Sequence, residues 1–287
     1  MSSTVSSCLQ HAKALGLTPL EAEWLLLFAL HRSLDDRAWL RMSSQDHLEP
    51  HTVECFQSLC LRRVQHEPLA YITGQREFYG LLLLVDARVL DPRPDTETLV
   101  DWALDVLQGL PSPWVVDLGT GSGAIALALQ HMRPDAHVLA IDASADALDV
   151  ASANASRLKL AVNFAKGNWL EPLARYDKGP RDGWQLMVSN PPYIATGDHH
   201  LRALRHEPLQ ALTSGPDGLD DIRHLIKHAP MHLANHGWLL LEHGHDQSAA
   251  VQALMKQRGF EDVQSRNDLA GIARCTGGQW KHKANAG

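Results

Sequence analysis

The chain is poor in cysteine, in long apolar runs and in net positive charge, and each shortage removes a class of explanation. Its four cysteines, Cys8, Cys55, Cys60 and Cys275, show no CxxC spacing and no evident pairing scheme. That excludes a disulfide scaffold and suits reduced thiols. The longest apolar run, Trp24 to Leu30, falls far short of the ~20 residues that span a bilayer, so no membrane anchor is expected. The segment from Met1 to Gln10 lacks the basic residues and apolar stretch of a secretory signal, so the expected location is the cytoplasm. Acidic residues number 33 against 26 basic ones, for a net charge of −7, and the pI is about 6.2. No overall positive field draws the chain onto phosphate backbones, and no stable nucleic-acid partner is expected. Glycine is missing between Gly16 and Gly74, which leaves that stretch free to be helical.

What is present is ordinary globular material. At 287 residues the chain has room for roughly two domains, and 45% hydrophobic with 21% charged residues disfavours disorder and coiled coil. From Thr18 to about Arg63 apolar residues recur at helical spacing, as in Leu20, Trp24, Leu27 and Leu30. Thr18-Pro19-Leu20-Glu21 is a helix start: a capping hydroxyl, a first-turn proline and a glutamate three positions on. Asp46 and Pro50 mark later boundaries. Between Tyr71 and Leu90, Gly74 and Gly80 punctuate a strand-like run at Leu81 to Val85, which reads as an extended or hairpin connector.

After Pro92, strand and helix alternate. Trp114 to Leu118 reads as a buried strand, Ala124 to His131 as a helix, His137 to Ile141 as a strand and Ala145 to Leu158 as a helix. Gln185 to Ser189, Trp238 to Glu242 and a run after Asp262 supply further strands. The pattern implies an α/β fold with an open, mostly parallel, doubly wound sheet.

Two constellations carry chemistry. The first is Asp117-Leu118-Gly119-Thr120-Gly121-Ser122-Gly123, a strand end running through alternate glycines into a helix. Glycines let the backbone approach a ligand, and the helix start offers unpaired N–H groups. Asp142 follows about 20 residues on, at the end of the next strand, where a carboxylate can accept both hydroxyls of a ribose. The loop also satisfies the dinucleotide pattern through Gly119, Gly121 and Ala124, so by itself it does not choose the nucleoside. The alternative is a glycine-rich turn with no ligand.

The second constellation is Asn190-Pro191-Pro192-Tyr193, directly after a strand and so at the carboxyl edge of the sheet. The prolines fix their own φ and bias Asn190 away from the α region, so the tetrapeptide is organised before any ligand arrives. The Asn190 side-chain carbonyl and the Pro191 main-chain carbonyl can both accept from one NH2 group, and Tyr193 supplies an aromatic face. An amide nitrogen has its lone pair delocalised and attacks poorly. Two fixed acceptors orient it and stabilise positive charge growing on it. The alternative is a proline-stiffened surface turn.

With Asp117 before the glycines, the first constellation resembles the opening motif of S-adenosylmethionine-dependent methyltransferases. Asn-Pro-Pro-Tyr is shared by methyltransferases of planar amino groups, the DNA adenine-N6 and protein glutamine-N5 enzymes among them. Glu67 to Gly74, Glu77 to Gly80 and Pro92 to Glu97 resemble the connector of release factor glutamine methyltransferases of the HemK/PrmC type. So do Glu207-Pro208, Asp217-Gly218-Leu219, Leu241-Glu242 with Gly244 and Gln247, and Asp268 to Gly271, so that the resemblance runs from about Leu20 to Arg274. Departures from the family pattern are Asp91 in place of an apolar residue, His66 in place of glycine before Glu-Pro, and His243 within a usual Glu-Ile-Gly.

The resemblance implies a helical substrate-recognition domain (1–70), a hairpin linker (71–92) and a Rossmann-like catalytic domain (93–287). It implies methyl transfer from S-adenosylmethionine to the glutamine of the Gly-Gly-Gln loop of class I release factors. Gly119, Thr120, Gly121, Ser122 and Gly123 would line the cofactor, Asp142 would hold its ribose and Trp169 would pack beside the adenine. Asn190 would border the cofactor and, with Pro191, Pro192 and Tyr193, hold the glutamine amide; Asn190 and Pro191 are the expected catalytic pair. The rival readings are a ribosomal-protein glutamine methyltransferase, a nucleic-acid adenine methyltransferase and a nicotinamide oxidoreductase, the last of which leaves Asn-Pro-Pro-Tyr unexplained.

Other signals are weaker. Gly277-Gly278-Gln279 spells the substrate tripeptide within the chain but reads as a C-terminal turn in a strand. His199-His200 and His243 with His245 lack a third ligand at suitable spacing, so no metal is expected. Glu207 and Glu242 are open between orienting the Asn190 loop and ordinary surface carboxylates, and Arg62, Arg63, Arg76, Arg88 and Arg93 between a docking strip and a solvated face.

Overall fold

The structure is a computed structural model and describes residues 3–282. The chain divides into two compact units, Met1–Gln75 and Arg76–Gly287.

The first unit is helical: α1 (Val5–Ala14), α2 (Pro19–Ala29), α3 (Arg37–Met42), α4 (Pro50–Val64) and α5 (Leu69–Thr73). Helix α2 starts where the capping pattern places it. The Thr18 hydroxyl accepts from the Glu21 amide, and the Glu21 carboxylate accepts from the Thr18 amide at 2.8 Å. Pro50 likewise opens α4. The core is built on Leu25, Leu26, Phe56 and Cys60, all fully buried. Each large apolar side chain there contributes about 1.5–3 kcal/mol by leaving water. Tyr71, Ile72 and Thr73, which the sequence reading places at the start of the connector, complete α5. The Thr73 hydroxyl donates back to the Leu69 carbonyl, and Gly74 at φ +71° ends the helix. His66 sits at φ +66°, a backbone state that explains why glycine is usual there.

The chain then forms a hairpin of β1 (Gln75–Phe78) and β2 (Leu81–Leu84), whose two turn residues, Tyr79 and Gly80, both have positive φ. A seven-stranded sheet follows, from β3 (Trp114–Leu118), β4 (His137–Asp142), β5 (Asn163–Lys166), β6 (Trp184–Ser189), β7 (Leu233–Glu242), β8 (Glu261–Asn267) and β9 (Ala273–Trp280), in the order β5-β4-β3-β6-β7-β9-β8. Strands β3 to β7 pair in parallel and β9 runs antiparallel to β7 and β8. Helices α6 (Glu97–Val106), α7 (Ala124–Met132), α8 (Ala145–Leu158), α9 (Asp220–His228) and α10 (Ser248–Arg258) accompany it.

Chain direction in the sheet positions the site. From β3 the chain moves outward to β4 and β5, then returns to place β6 on the other flank of β3 and continues to β7. The connections leaving β3 and β6 therefore diverge, which opens a crevice at the carboxyl ends of these two strands. Asp117 is level with Val188, and the Ser189 hydroxyl donates to the Leu118 carbonyl at 2.5 Å, so the two strands end together.

The C-terminal run after Asp262 supplies the strands expected of it, as an antiparallel pair, and β5 is a further strand that no sequence signal singled out, since its short, half-polar sequence carries no alternation. Gly277-Gly278-Gln279 lies inside β9, with the Gln279 amide donating to the His236 carbonyl at 3.1 Å.

Candidate active site

The glycine loop leaves β3 and the Asn-Pro-Pro-Tyr loop leaves β6, and both open on one cavity of about 330 Å³. Gly119, Thr120, Gly121, Ser122, Asp142, Trp169, Asn190 and Pro192 form its wall. Three expected site residues are not part of that wall: Gly123 packs on Leu127 and Ala151, Pro191 is buried, and Tyr193 packs against the apolar cluster that includes Leu118 and Met187.

The glycine loop is held from three directions. The amides of Gly119 and Thr120 donate to the Ile141 carbonyl at 2.8 and 2.9 Å, which ties the loop to β4. The Asp142 carboxylate accepts from the Gly121 amide and the Ser144 amide, each at 2.9 Å. From behind, the buried Asn154 donates to the Ser122 carbonyl at 3.0 Å and exchanges two hydrogen bonds with the backbone of Leu84 in β2. No sequence motif singles out Asn154, because its partners lie 32 and 70 positions away.

Trp169 takes up φ +50° and its indole N–H donates to Asp221 at 3.0 Å. The indole ring crosses Gly119 so closely that a Cβ there would stand 3.2 Å from the ring, and Gly119 itself is at φ +76°. Both facts require glycine.

Asp117 lies fully buried beneath the loop, accepting from the Thr120 hydroxyl at 2.6 Å and the Ala126 amide at 3.2 Å, while its Oδ1 has no partner. Burial pushes its carboxyl up to about 7. The folded protein therefore keeps this proton at pH values where the unfolded chain has released it, and stability is lost as pH rises toward 7. Urea denaturation should show wild type losing about 1 kcal/mol per pH unit relative to Asp117→Asn between about pH 5 and 6.5. Parallel pH profiles for the two proteins would refute the buried, protonated state.

On the other side, the Asn190 Nδ2 donates to the Thr96 hydroxyl at 3.2 Å. The Tyr193 hydroxyl donates to Glu242 Oε1 at 3.4 Å, and the Gln247 amide donates to the Tyr193 carbonyl at 3.0 Å. Gly218 presses on the same carbonyl: at φ +75°, a Cβ would lie 2.2 Å from the Tyr193 oxygen. Gly218→Ala should cost about 2–3 kcal/mol in chemical denaturation, and a loss under 0.5 kcal/mol would show that the loop moves aside freely.

Glu207 and Glu242 are not surface carboxylates. Glu207 is buried and pairs with Arg93 at 2.5 Å, and the buried Asp91 lies between Arg93 and Arg76, its carboxyl raised chiefly by burial. Sequence reading leaves both glutamates open between orienting the Asn190 loop and the surface, because charged side chains are rarely buried unless paired and their partners are far away in sequence. Glu242 is 1% exposed, its Oε2 has no partner, and burial pushes it up to about 7. The arginines are neither a free docking strip nor simply solvated: Arg62 pairs with Glu67, Arg63 with Glu21, Arg88 with Asp86, and Arg76 and Arg93 belong to the buried network. His243 is buried against the Thr276 hydroxyl at 2.8 Å. Asp198 does supply a third donor beside His199 and His200, but it is engaged by the His200 amide and the two imidazoles are exposed.

The donor set of the cavity decides between nucleosides. Its charged wall residues are Asp142, Asp221 and Arg88, and Arg88 is already paired with Asp86. A wall with two carboxylates and a neutralised arginine suits a cationic sulfonium nucleoside and is ill matched to a pyrophosphate. At Gly121 a Cβ would meet nothing within 4 Å, so the loop borders open space that a ligand can fill.

A doubly wound sheet with this cavity at its switch point, facing a rigid Asn-Pro-Pro-Tyr loop, defines a Rossmann-like methyltransferase dependent on S-adenosylmethionine. The release factor glutamine methyltransferase of Bordetella pertussis is 46% identical over 92% of this chain and 95% of its own, and that of Xylella fastidiosa 48% identical over 91% and 92%. The chain belongs to the release factor glutamine methyltransferase family. Residues 3–74 match the PrmC N-terminal domain and 98–216 the methyltransferase small domain. The crystal structure of the hMettl16 catalytic domain in complex with MAT2A 3'UTR hairpin 1 shares the fold, with a TM-score of 0.58 and 15% identity over 82% of each chain. Among the described residues no helix is long and apolar enough to cross a membrane.

Proposed function

We propose that this chain methylates the side-chain amide nitrogen of the glutamine in the Gly-Gly-Gln motif of class I peptide chain release factors, and so modulates translation termination in the cytoplasm. The observation that carries the proposal is the placement of Asn190. It borders the same cavity as the glycine loop, and its NH2 is occupied by Thr96, which leaves the carbonyl oxygen as the free end. A free carbonyl is what an NH2 acceptor needs.

In this reading Gly119 to Gly123, Asp142, Trp169 and Asn190 hold S-adenosylmethionine, whose sulfonium supplies an already activated methyl group. Asp142 accepts from the ribose hydroxyls with lone pairs left over from Gly121 and Ser144, and Trp169, steered by Asp221, packs beside the adenine. Asn190 Oδ1 and the Pro191 carbonyl accept from the two N–H bonds of the glutamine amide. They hold its nitrogen lone pair toward the methyl carbon and stabilise the charge that grows there. Pro192 and Tyr193 keep the loop in shape, and no covalent nucleophile is required. Residues 1–70 serve as the substrate-recognition domain, 71–92 as linker and 93–287 as catalytic domain.

The test is incubation with labelled S-adenosylmethionine and, in parallel, a release factor, ribosomal protein and duplex DNA. Label on the release factor glutamine is expected. Label on ribosomal protein alone would move the substrate within the glutamine methyltransferases, and label on DNA alone would overturn the proposal.

A further inference from the structure

Helix α8 buries Ala147, Val150, Ala151, Asn154 and Ala155, so one carboxamide stands on a face otherwise made of small apolar side chains. Asn154 is 0% exposed. A polar group placed there costs free energy unless it is hydrogen-bonded, and asparagine is a poor helix former, so neither burial nor propensity accounts for it. Its partners do. Nδ2 donates to the Ser122 carbonyl at 3.0 Å and to the Leu84 carbonyl at 2.9 Å, while Oδ1 accepts from the Leu84 amide at 2.7 Å. Both N–H bonds and the carbonyl oxygen are therefore engaged. An aspartate here has no N–H to give, and a serine has a single proton.

The two partners belong to two walls of one cavity. Ser122 is part of the glycine loop, and it lines the cavity. Leu84 ends β2, and the chain runs on from it to Arg88, Val89, Leu90 and Pro92, which line the same cavity from the linker side. Asn154 meets the N–H and the C=O of Leu84 together, as a residue of a neighbouring strand does, and joins them to the loop with its remaining N–H. The anchors at the turn end of the hairpin lead elsewhere: the Tyr79 amide donates to Glu97 and the Tyr79 hydroxyl to Asp101, both on α6.

We infer that Asn154 is a positioning residue for the cofactor, locking the β1–β2 hairpin to the glycine loop so that cofactor binding and hairpin order are coupled. The inference rests on the reading of this cavity as the cofactor site. A ligand that fixes the loop fixes the Ser122 carbonyl, hence the carboxamide that meets it, hence the backbone of Leu84. The coupling is reciprocal: a hairpin held in place keeps the loop in the form that binds.

The experiment uses the full chain and the demethylated product, S-adenosylhomocysteine, which binds without turnover. Hydrogen–deuterium exchange in β2 is followed with and without saturating product, and product affinity is measured by calorimetry, for wild type, Asn154→Ala, Val150→Ala and Asp142→Ala. In wild type the product should slow exchange in β2 by about fivefold or more beyond any change in β8 and β9. Asn154→Ala should abolish that slowing and bind the product about tenfold more weakly, with kcat at saturating cofactor within about threefold of wild type. Val150→Ala removes volume from the same helix face but no hydrogen bond, so it should keep the slowing and hold affinity within about twofold. If Asn154→Ala does not fold, Asn154→Ser, too short to bridge both partners, takes its place with the same expectations. Four results would each overturn the inference: no effect of product on β2 in wild type, a slowing that survives Asn154→Ala, an Asn154→Ala affinity within about twofold of wild type, or an equal loss in Val150→Ala. Asp142→Ala separates the two levels. If it binds the product as wild type does, the reading of the cavity falls; if it binds weakly while Asn154→Ala is normal, only the coupling falls.

Discussion

Replacing Asn190 by alanine is expected to lower kcat by about 10²- to 10³-fold while leaving cofactor affinity within a few fold. The asymmetry follows from where Asn190 sits. Its backbone is anchored at the end of β6, level with the end of β3, and its side chain is tied to Thr96, so the glycine loop loses none of its own hydrogen bonds when the carboxamide goes. What is lost, in the proposed function, is an acceptor aimed at an amide nitrogen whose lone pair is delocalised, and that acceptor matters more as positive charge develops in the transition state. Single-turnover kinetics with saturating cofactor, beside calorimetric titration, measure the two quantities separately. Equal losses in both would assign Asn190 to the cofactor.

Asp142→Ala should do the reverse. Its carboxylate holds the amides of Gly121 and Ser144, and in the proposed function it also accepts from the ribose. Removing it takes a charged acceptor from the ligand and leaves two loop amides without their partner. Cofactor affinity should fall about 100-fold, near 3 kcal/mol, with kcat at saturating cofactor within a few fold. Unchanged affinity by calorimetry would remove Asp142 from the cofactor site.

In the proposed function the two substitutions divide the cavity by chemistry, one wall for each reactant, and the two loops that form those walls were legible at the level of motifs. The run from Trp114 through Asp142 is a strand, a turn, a helix and a second strand, and every part carries a local signal: short continuous apolar runs for the buried strands, glycine where φ is positive, and a longer apolar run for the helix. Asn190 to Tyr193 is equally local, since proline imposes its conformation on itself and its neighbour. Elements with weak local signals were harder to read. The strand β5 has four residues, Asn163 to Lys166, with no alternation, and takes its conformation from pairing with β4. Three residues at Tyr71 to Thr73 continue a helix that composition alone reads as connector.

By itself the amino-acid sequence determined the chemistry on offer: a glycine loop with an acidic residue after it, a stiff Asn-Pro-Pro-Tyr tetrapeptide, and a helical unit ahead of both. Those are properties of neighbouring residues, and the physics that produces them acts over one or two turns of chain. Only the tertiary structure decided which charges went inside and what each polar group faces. Glu242 reaches Tyr193 across 49 positions, Asn190 reaches Thr96 across 94, and Glu207 reaches Arg93 across 114. Burial turned those glutamates from candidate surface groups into fixed acceptors, because a carboxylate removed from water must find its donors wherever the fold brings them.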